Sequence, residues 1–247
     1  MKPEVLGVIP ARLGSTRFPG KALFEYKGRP LLYYVWREMS RSKTINRLVI
    51  ATDSRDIQEA ARAFGAEVVL TSRKHRTGSD RAAEVAVRLG GQIVVNVQGD
   101  CLGLSAGPVD RAVETLRAAK GVACATLARG IEDDNELSDP NVVKVITDGK
   151  QRALWFSRYP LPYLQSPARG AHAKQFPFLA HIGVYVFRRQ ALMEFAGWRR
   201  SPLEKAESLE QLRLMEHGER IIVLKTRSGT VSVDSPADIR KLSRIVK

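Results

Sequence analysis

The chain has 247 residues, enough for one large α/β domain with a substantial core, and its 40 Lys and Arg against 26 Asp and Glu give a formal net charge of +14. No apolar stretch approaches the ~20 residues that cross a bilayer, and Met1-Lys2-Pro3-Glu4 leads into a strand, which predicts a cytoplasmic protein without membrane insertion. Cys101 and Cys124 lack metal-ligand spacing, which argues against a disulfide scaffold and a zinc site.

A Lys and Arg excess is the footprint of phosphate-backbone binding, but here the cations are spread through predicted helices and loops, and no nucleic-acid motif accompanies them. The expectation is therefore no nucleic-acid partner. The charge reads either as a solvated surface or as a field that steers small anions into a cleft.

Val5 to Ile9 is an apolar run that reads as a buried strand ended by Pro10. The stretch that follows, to Lys21, carries Arg12, Arg17 and Lys21 around Gly14, Ser15 and Gly20, at the end of a strand where open α/β sheets place ligands. It suits a phosphate chain, and equally a solvated basic turn. It is not a Walker loop: five residues separate Gly14 from Gly20-Lys21, and Ala22 stands where a Ser or Thr would be.

Leu31, Leu32, Val35, Trp36 and Met39 recur at helical spacing, followed by a strand Arg47 to Asp53, a helix Ser54 to Phe64 and a strand Glu67 to Thr71. This alternation predicts a mostly parallel, doubly wound sheet. Lys74 to Arg81 is a polar loop entering a helix that ends at Leu89, with Ser79 or Asp80 as its N-cap. Its free amides, with Thr77 and Ser79, fit either an anion or base contact or plain capping.

Gln92 to Asp100 is the most apolar strand and so a central one, ending in Gln98-Gly99-Asp100, where a carboxylate suits magnesium or an ordinary turn. A helix Pro108 to Ala119, a strand Val122 to Leu127 and a hairpin of Val142 to Ile146 with Ala153 to Ser157 come next. Ser166 to Pro177 reads as a mobile basic loop. In the strand Leu179 to Phe187, His181, Gly183, Tyr185 and Phe187 share one face, and Ile182, Val184 and Val186 the other. Ser208 to His217 reads as a helix and Ile221 to Lys225 as a strand. Val231 to Pro236 delivers a second strand-end aspartate, Asp234, before a last helix from Ala237.

Ten blocks in order now carry a family resemblance, among them Pro10-Ala-Arg through Lys21, Thr77-Gly-Ser-Asp-Arg81, Val95-Asn-Val-Gln-Gly-Asp100, Ala153-Leu-Trp-Phe-Ser-Arg158, His181-Ile-Gly-Val-Tyr185, Leu209-Glu-Gln-Leu-Arg213 and Val233-Asp-Ser-Pro236. The chain resembles CMP-Kdo synthetases, the 3-deoxy-manno-octulosonate cytidylyltransferases. The resemblance implies a single three-layer α/β domain with a mostly parallel, Rossmann-like nucleotidyltransferase sheet and an added antiparallel, dimer-forming portion. It also implies Mg²⁺-dependent transfer of CMP from CTP to the eight-carbon acidic sugar Kdo for lipopolysaccharide synthesis, by a homodimer. A related acidic sugar, such as 8-amino-Kdo or a nonulosonate, is the alternative acceptor.

Carried over by residue, Ala11, Arg12, Ser15, Lys21, Thr77, Gly78, Ser79, Asp80 and Gln98 would hold the nucleotide, and Arg12 and Lys21 would ease the departure of pyrophosphate. Asp100 and Asp234 would hold the metal. Arg81, Gln98, Arg158, His181, Tyr185, Glu210 and Gln211 would surround the sugar, with Arg158 on its carboxylate. One departure stands out: the family continues Gln-Gly-Asp with Glu-Pro, whereas Asp100 is followed here by Cys101-Leu102, without the carboxylate and the rigid proline.

Overall fold

The computed structural model describes residues 4–14, 18–165, 172–227, 231–232 and 239–242. In chain order the first half comprises β1 (Val5–Ala11), a 3-10 turn (Lys21–Leu23), β2 (Glu25–Tyr26), β3 (Arg29–Pro30), α1 (Leu31–Met39), β4 (Arg47–Thr52), α2 (Arg55–Ala63), β5 (Glu67–Leu70), α3 (Gly78–Leu89), β6 (Ile93–Val97), β7 (Cys101–Leu102) and α4 (Ala106–Ala118). The second half comprises β8 (Cys124–Gly130), α5 (Asp134–Ser138), β9 (Lys144–Thr147), β10 (Ala153–Ser157), α6 (His172–Gln175), β11 (Leu179–Arg188), α7 (Arg189–Gly197), α8 (Pro202–Glu207), α9 (Gln211–Glu216), β12 (Ile221–Lys225), β13 (Val231–Ser232) and α10 (Ile239–Leu242).

Among the described residues the main sheet has nine strands in the order β10-β9-β11-β6-β1-β4-β5, with β8 on β11 and β12 on β8. β6, β1, β4 and β5 pair in parallel, as do β8 and β12, while β11 runs antiparallel to its neighbours and β10 to β9. Only β10 and β11 oppose the common direction, so the sheet is mostly parallel with an antiparallel addition, as expected.

Helices cover both faces. Val5 and Ile9 of β1 join Val95 and Val97 of β6 and the inward residues of α1, α2 and α4 in one core. Leu6 and Val8, on the opposite face, join α3, α7 and α9 in a second. The alternation of strand side chains is what splits one sheet into two cores. β11 follows it as predicted: Ile182, Val184 and Val186 enter the first core, Tyr185 and Phe187 the second. A fully buried leucine such as Leu212 contributes about 1.5–3 kcal/mol to this packing.

Several boundaries differ from the sequence reading. Pro10 does not end β1, because it sits inside the strand opposite Ala51 of β4 and Ala11 opposite Thr52. α3 begins at Gly78 with Thr77 as its cap, not Ser79 or Asp80. Thr77 accepts from the Asp80 amide at 3.1 Å and Asp80 accepts from the Thr77 amide at 3.1 Å, a capping box that makes Asp80 a residue of the first turn. The helix expected over Ser208 to His217 is α9, which begins only at Gln211, after Ser208 takes a left-handed φ of 53°; α8, opened before it by the Ser201-Pro-Leu-Glu204 capping box, went unpredicted. α5 and α7 went unpredicted. Of the loop read as mobile, residues 172–175 form α6, and residues 166–171 lie outside the described residues.

Candidate active site

The parallel strands deliver their C-terminal ends to one edge, and two chambers open there. The smaller, about 270 Å³, is lined by Ala11 and Arg12 from the end of β1, Lys21 from the 3-10 turn, Gln98 to Asp100 after β6, and His75 to Gly78 and Arg81 from the start of α3. The larger, about 580 Å³, lies between β11, Arg158, and the α8–α9 corner that carries Glu210 and Gln211. Arg12, Arg76, Thr77, Gly78, Gln98 and Asp100 line both and form their common wall.

Close backbone approach makes that wall thin. A Cβ on Gly78 would lie 2.8 Å from Gln98 Nε2, and one on Gly183 would lie 3.3 Å from Gln98 Cγ. Two glycines therefore flank Gln98 and leave its amide room in the wall. Beside it, Lys21 Nζ donates to Asp100 Oδ2 at 2.7 Å, tying the phosphate loop to the end of β6.

The floor of the larger chamber is polar and buried. Tyr185 donates its hydroxyl to Gln211 Oε1 at 2.9 Å, while Gln211 Nε2 is buried without a partner. Ser79 donates to Glu210 Oε1 at 2.8 Å, and Glu210 Oε2 is likewise buried and unpartnered. Burial raises the Glu210 carboxyl above its ordinary range, partly offset by the Ser79 bond. His181 lies against the rings of Phe156 and Tyr185, its Nε2 2.9 Å from Thr126 Oγ1, and burial pushes its imidazole down to about 3, so it is neutral at working pH.

The predicted site residues sort accordingly. Ala11, Arg12, Lys21, Thr77, Gly78, Gln98 and Asp100 come together at the smaller chamber, and His181, Tyr185, Glu210 and Gln211 at the larger one. Ser15 and Asp234 lie outside the described residues. Nearby, β13 pairs antiparallel with β7, Ser232 opposite Cys101.

Three expectations need correction. Ser79, fully buried, accepts from Asn96 at 3.0 Å and donates to Glu210, so it braces the floor rather than touching nucleotide. Asp80 is spent on the helix cap and faces an outer groove, with Arg213 at 3.9 Å. Arg81 lines the nucleotide chamber rather than the sugar chamber, bonded to Thr71 and paired with Asp53 at 3.3 Å.

Arg158 lines the larger chamber, but its guanidinium is committed to main-chain carbonyls: Glu207 at 2.7 Å, Pro140 at 2.8 Å and Ser208 at 3.4 Å. It clamps the α8–α9 corner instead of presenting a fork to solvent. Cys101 is buried with its thiol 3.4 Å from the Gly183 carbonyl, and burial pushes the thiol far up, so this position carries a neutral packing group where the family has a carboxylate.

Sequence reasoning missed Arg76, His75 and the bracing pairs. Glu207 accepts from the Ser157 hydroxyl at 2.6 Å and the Arg158 amide at 2.9 Å. Arg213 donates to both oxygens of Glu204, at 2.8 and 2.7 Å, in a buried pair that holds α8 against α9. The Ser201-x-x-Glu204 spacing of a capping box is a signal that could have pointed there.

A basic phosphate loop at the strand ends, opening through one wall into a polar chamber of sugar size, defines a nucleotidyltransferase. The model of the cytidylyltransferase family matches residues 6–221. The 3-deoxy-manno-octulosonate cytidylyltransferase of Geobacter sulfurreducens is 42% identical over 99% of this chain and 100% of its own, and that of Pseudomonas syringae pv. tomato 44% identical over 97% of each. A solved CMP:2-keto-3-deoxy-manno-octonic acid synthetase in complex with CTP superimposes with a TM-score of 0.89, at 34% identity, over 98% of this chain and 97% of that one. The chain belongs to the cytidylyltransferase family, within its 3-deoxy-manno-octulosonate group.

Proposed function

We propose that the chain transfers CMP from CTP to the anomeric hydroxyl of Kdo, releasing pyrophosphate. The common wall carries this reading: a nucleotide in the smaller chamber and an acidic sugar in the larger one meet at Arg12, Thr77, Gly78, Gln98 and Asp100. In the reaction the sugar hydroxyl oxygen attacks the α-phosphorus, the bond to the β-phosphate breaks, and pyrophosphate leaves.

Arg12 and Lys21 bind the phosphates and lower the charge on the leaving pyrophosphate. Gln98, lodged between Gly78 and Gly183, hydrogen-bonds the acceptor at the wall. The buried Glu210 Oε2 and Gln211 Nε2 take an acceptor and a donor role toward sugar hydroxyls, and Tyr185 and Ser79 fix their orientation. Neutral His181 contributes shape and a ring face rather than charge.

The donor set at the wall fits magnesium. Asp100 offers hard oxygen, 39% exposed, with a cation already against it, and among the described residues no group of three His, Cys, Asp or Glu forms a closed metal cage. Magnesium takes one or two carboxylates with substrate oxygens and water. Asp100, with Asp234, would hold it, and when bound it supplies Lewis-acid polarisation of the α-phosphate and of the attacking hydroxyl.

The same reading makes the protein a cytoplasmic homodimer that serves lipopolysaccharide synthesis, which light scattering of the purified protein tests for the dimer. Pyrophosphate release with CTP, Mg²⁺ and Kdo tests the activity. Release with Kdo, ahead of 8-amino-Kdo and nonulosonates, is the expected result, and no release with any of them refutes the reading.

A further inference from the structure

In a 2-ulosonic acid the carboxylate and the reacting hydroxyl sit on the same carbon. Resting on the function proposed above, this chemistry places the acceptor's carboxylate at the common wall, beside the α-phosphate and beside Asp100. A second carboxylate there is repelled by Asp100 and by the phosphates, so it needs a cation that stands at the wall with its N–H groups free.

Most cations near the wall are engaged. Arg158 lines only the larger chamber and gives three N–H groups to carbonyls, Arg81 pairs with Asp53, Arg200 donates to Glu204 at 3.2 Å and Lys21 to Asp100 at 2.7 Å. Arg12 also lines both chambers, is exposed and makes no hydrogen bond or ion pair among the described residues, but it stands on the loop that the proposed function gives to the phosphates. Arg76 is the other cation of the common wall, outside that loop: it too lines both chambers, is exposed, and makes no hydrogen bond or ion pair among the described residues.

Its backbone, by contrast, is fixed on both sides. The preceding His75 is held by Glu84 at 2.5 Å, Glu84 also accepts from the Ser72 amide at 2.9 Å, and the following Thr77 caps α3. The chain thus aims an uncommitted guanidinium at the wall from a braced loop, which reduces the ordering cost of a two-pronged contact.

We infer that Arg76, not Arg158, binds the carboxylate of the acceptor sugar and so selects acidic ulosonates at the reacting centre. Arg158 acts instead as the strut of the α8–α9 corner.

The test compares wild type with Arg76→Gln and Arg76→Lys in pyrophosphate release with Kdo and with its C1 methyl ester, alongside calorimetric titration of CTP. Arg76→Gln is expected to raise KM for Kdo about tenfold to a hundredfold and leave CTP affinity within about twofold. It should also abolish the preference for the acid over the ester that wild type shows, and Arg76→Lys should restore part of that preference. Weaker CTP binding with an unchanged KM for Kdo, or a preference for the acid that survives in Arg76→Gln, overturns the inference while the function stands. A wild type that turns over no ulosonic acid overturns the function, and the inference with it.

Discussion

Lys21 and Asp100, 79 residues apart in the chain, meet through a single 2.7 Å contact between Nζ and Oδ2 that closes the phosphate loop onto the end of β6. The lysine is largely buried and the carboxylate 39% exposed, so solvent screens the pair and it contributes little to folding. Its place at the common wall gives it a role in the reaction instead. Asp100→Asn is expected to lower turnover on the order of a hundredfold or more, with the melting temperature nearly unchanged. Pyrophosphate release and a thermal melt on the same preparation check this, and full activity in the variant would refute the role given to Asp100.

Gly78 is the thinnest point of the wall. Its backbone tolerates a side chain, but the Cβ of Gly78→Ala would meet the Gln98 amide at 2.8 and 2.9 Å and Pro10 at 3.0 Å. The flexible end of Gln98 yields first, so the protein folds with a cost of about 1–3 kcal/mol. The expected outcome is a fall in kcat/KM for the sugar that exceeds any change in CTP affinity, measured by steady-state kinetics and calorimetry.

His181 and Glu210 give stability opposite slopes with pH. Burial depresses His181 from 6.5 to about 3, so its contribution is complete above 6.5 and is lost as pH falls toward 3. Burial raises Glu210 above 4.5, so its contribution is complete below 4.5 and is lost as pH rises through the folded value. In urea titrations across pH, His181→Asn should flatten the acid-side loss, and Glu210→Gln should flatten the loss on the side above 4.5. Unchanged slopes in both variants would contradict the burial of these two groups.

Glu204 and Arg213 form a buried bidentate pair. Burial alone would raise the Glu204 carboxyl, but the Arg213 hydrogen bonds and charge outweigh it and hold the group below its ordinary 4.5. Its stabilisation is therefore present above 4.5 and lost as pH falls through the lower folded value. Glu204→Gln leaves the Arg213 charge buried without its anion and should cost about 3 kcal/mol. Guanidinium denaturation measures it. Because the pair holds α8 against α9, KM for Kdo should rise in the same variant while CTP affinity stays.

The sequence alone determined the alternation of strands and helices, the phosphate loop, the aspartate at the end of the central strand, and the opposed faces of β11, because each follows from spacing along a few residues. It also carried the family, through ordered blocks. What it did not determine was where polar side chains point. Ser79 and Asp80, read as nucleotide contacts, are turned by the Thr77 cap toward Glu210 and Arg213, partners 131 and 133 residues away in the chain. Arg158, read as a carboxylate fork, donates instead to the Pro140 carbonyl and to the Glu207 and Ser208 carbonyls of the corner that the left-handed Ser208 makes between α8 and α9. Arg76 stood in a loop with no pattern of its own. A periodicity fixes which face of an element is apolar, but whether a charged group is spent or available depends on what the rest of the chain brings against it, and that is decided only by tertiary packing.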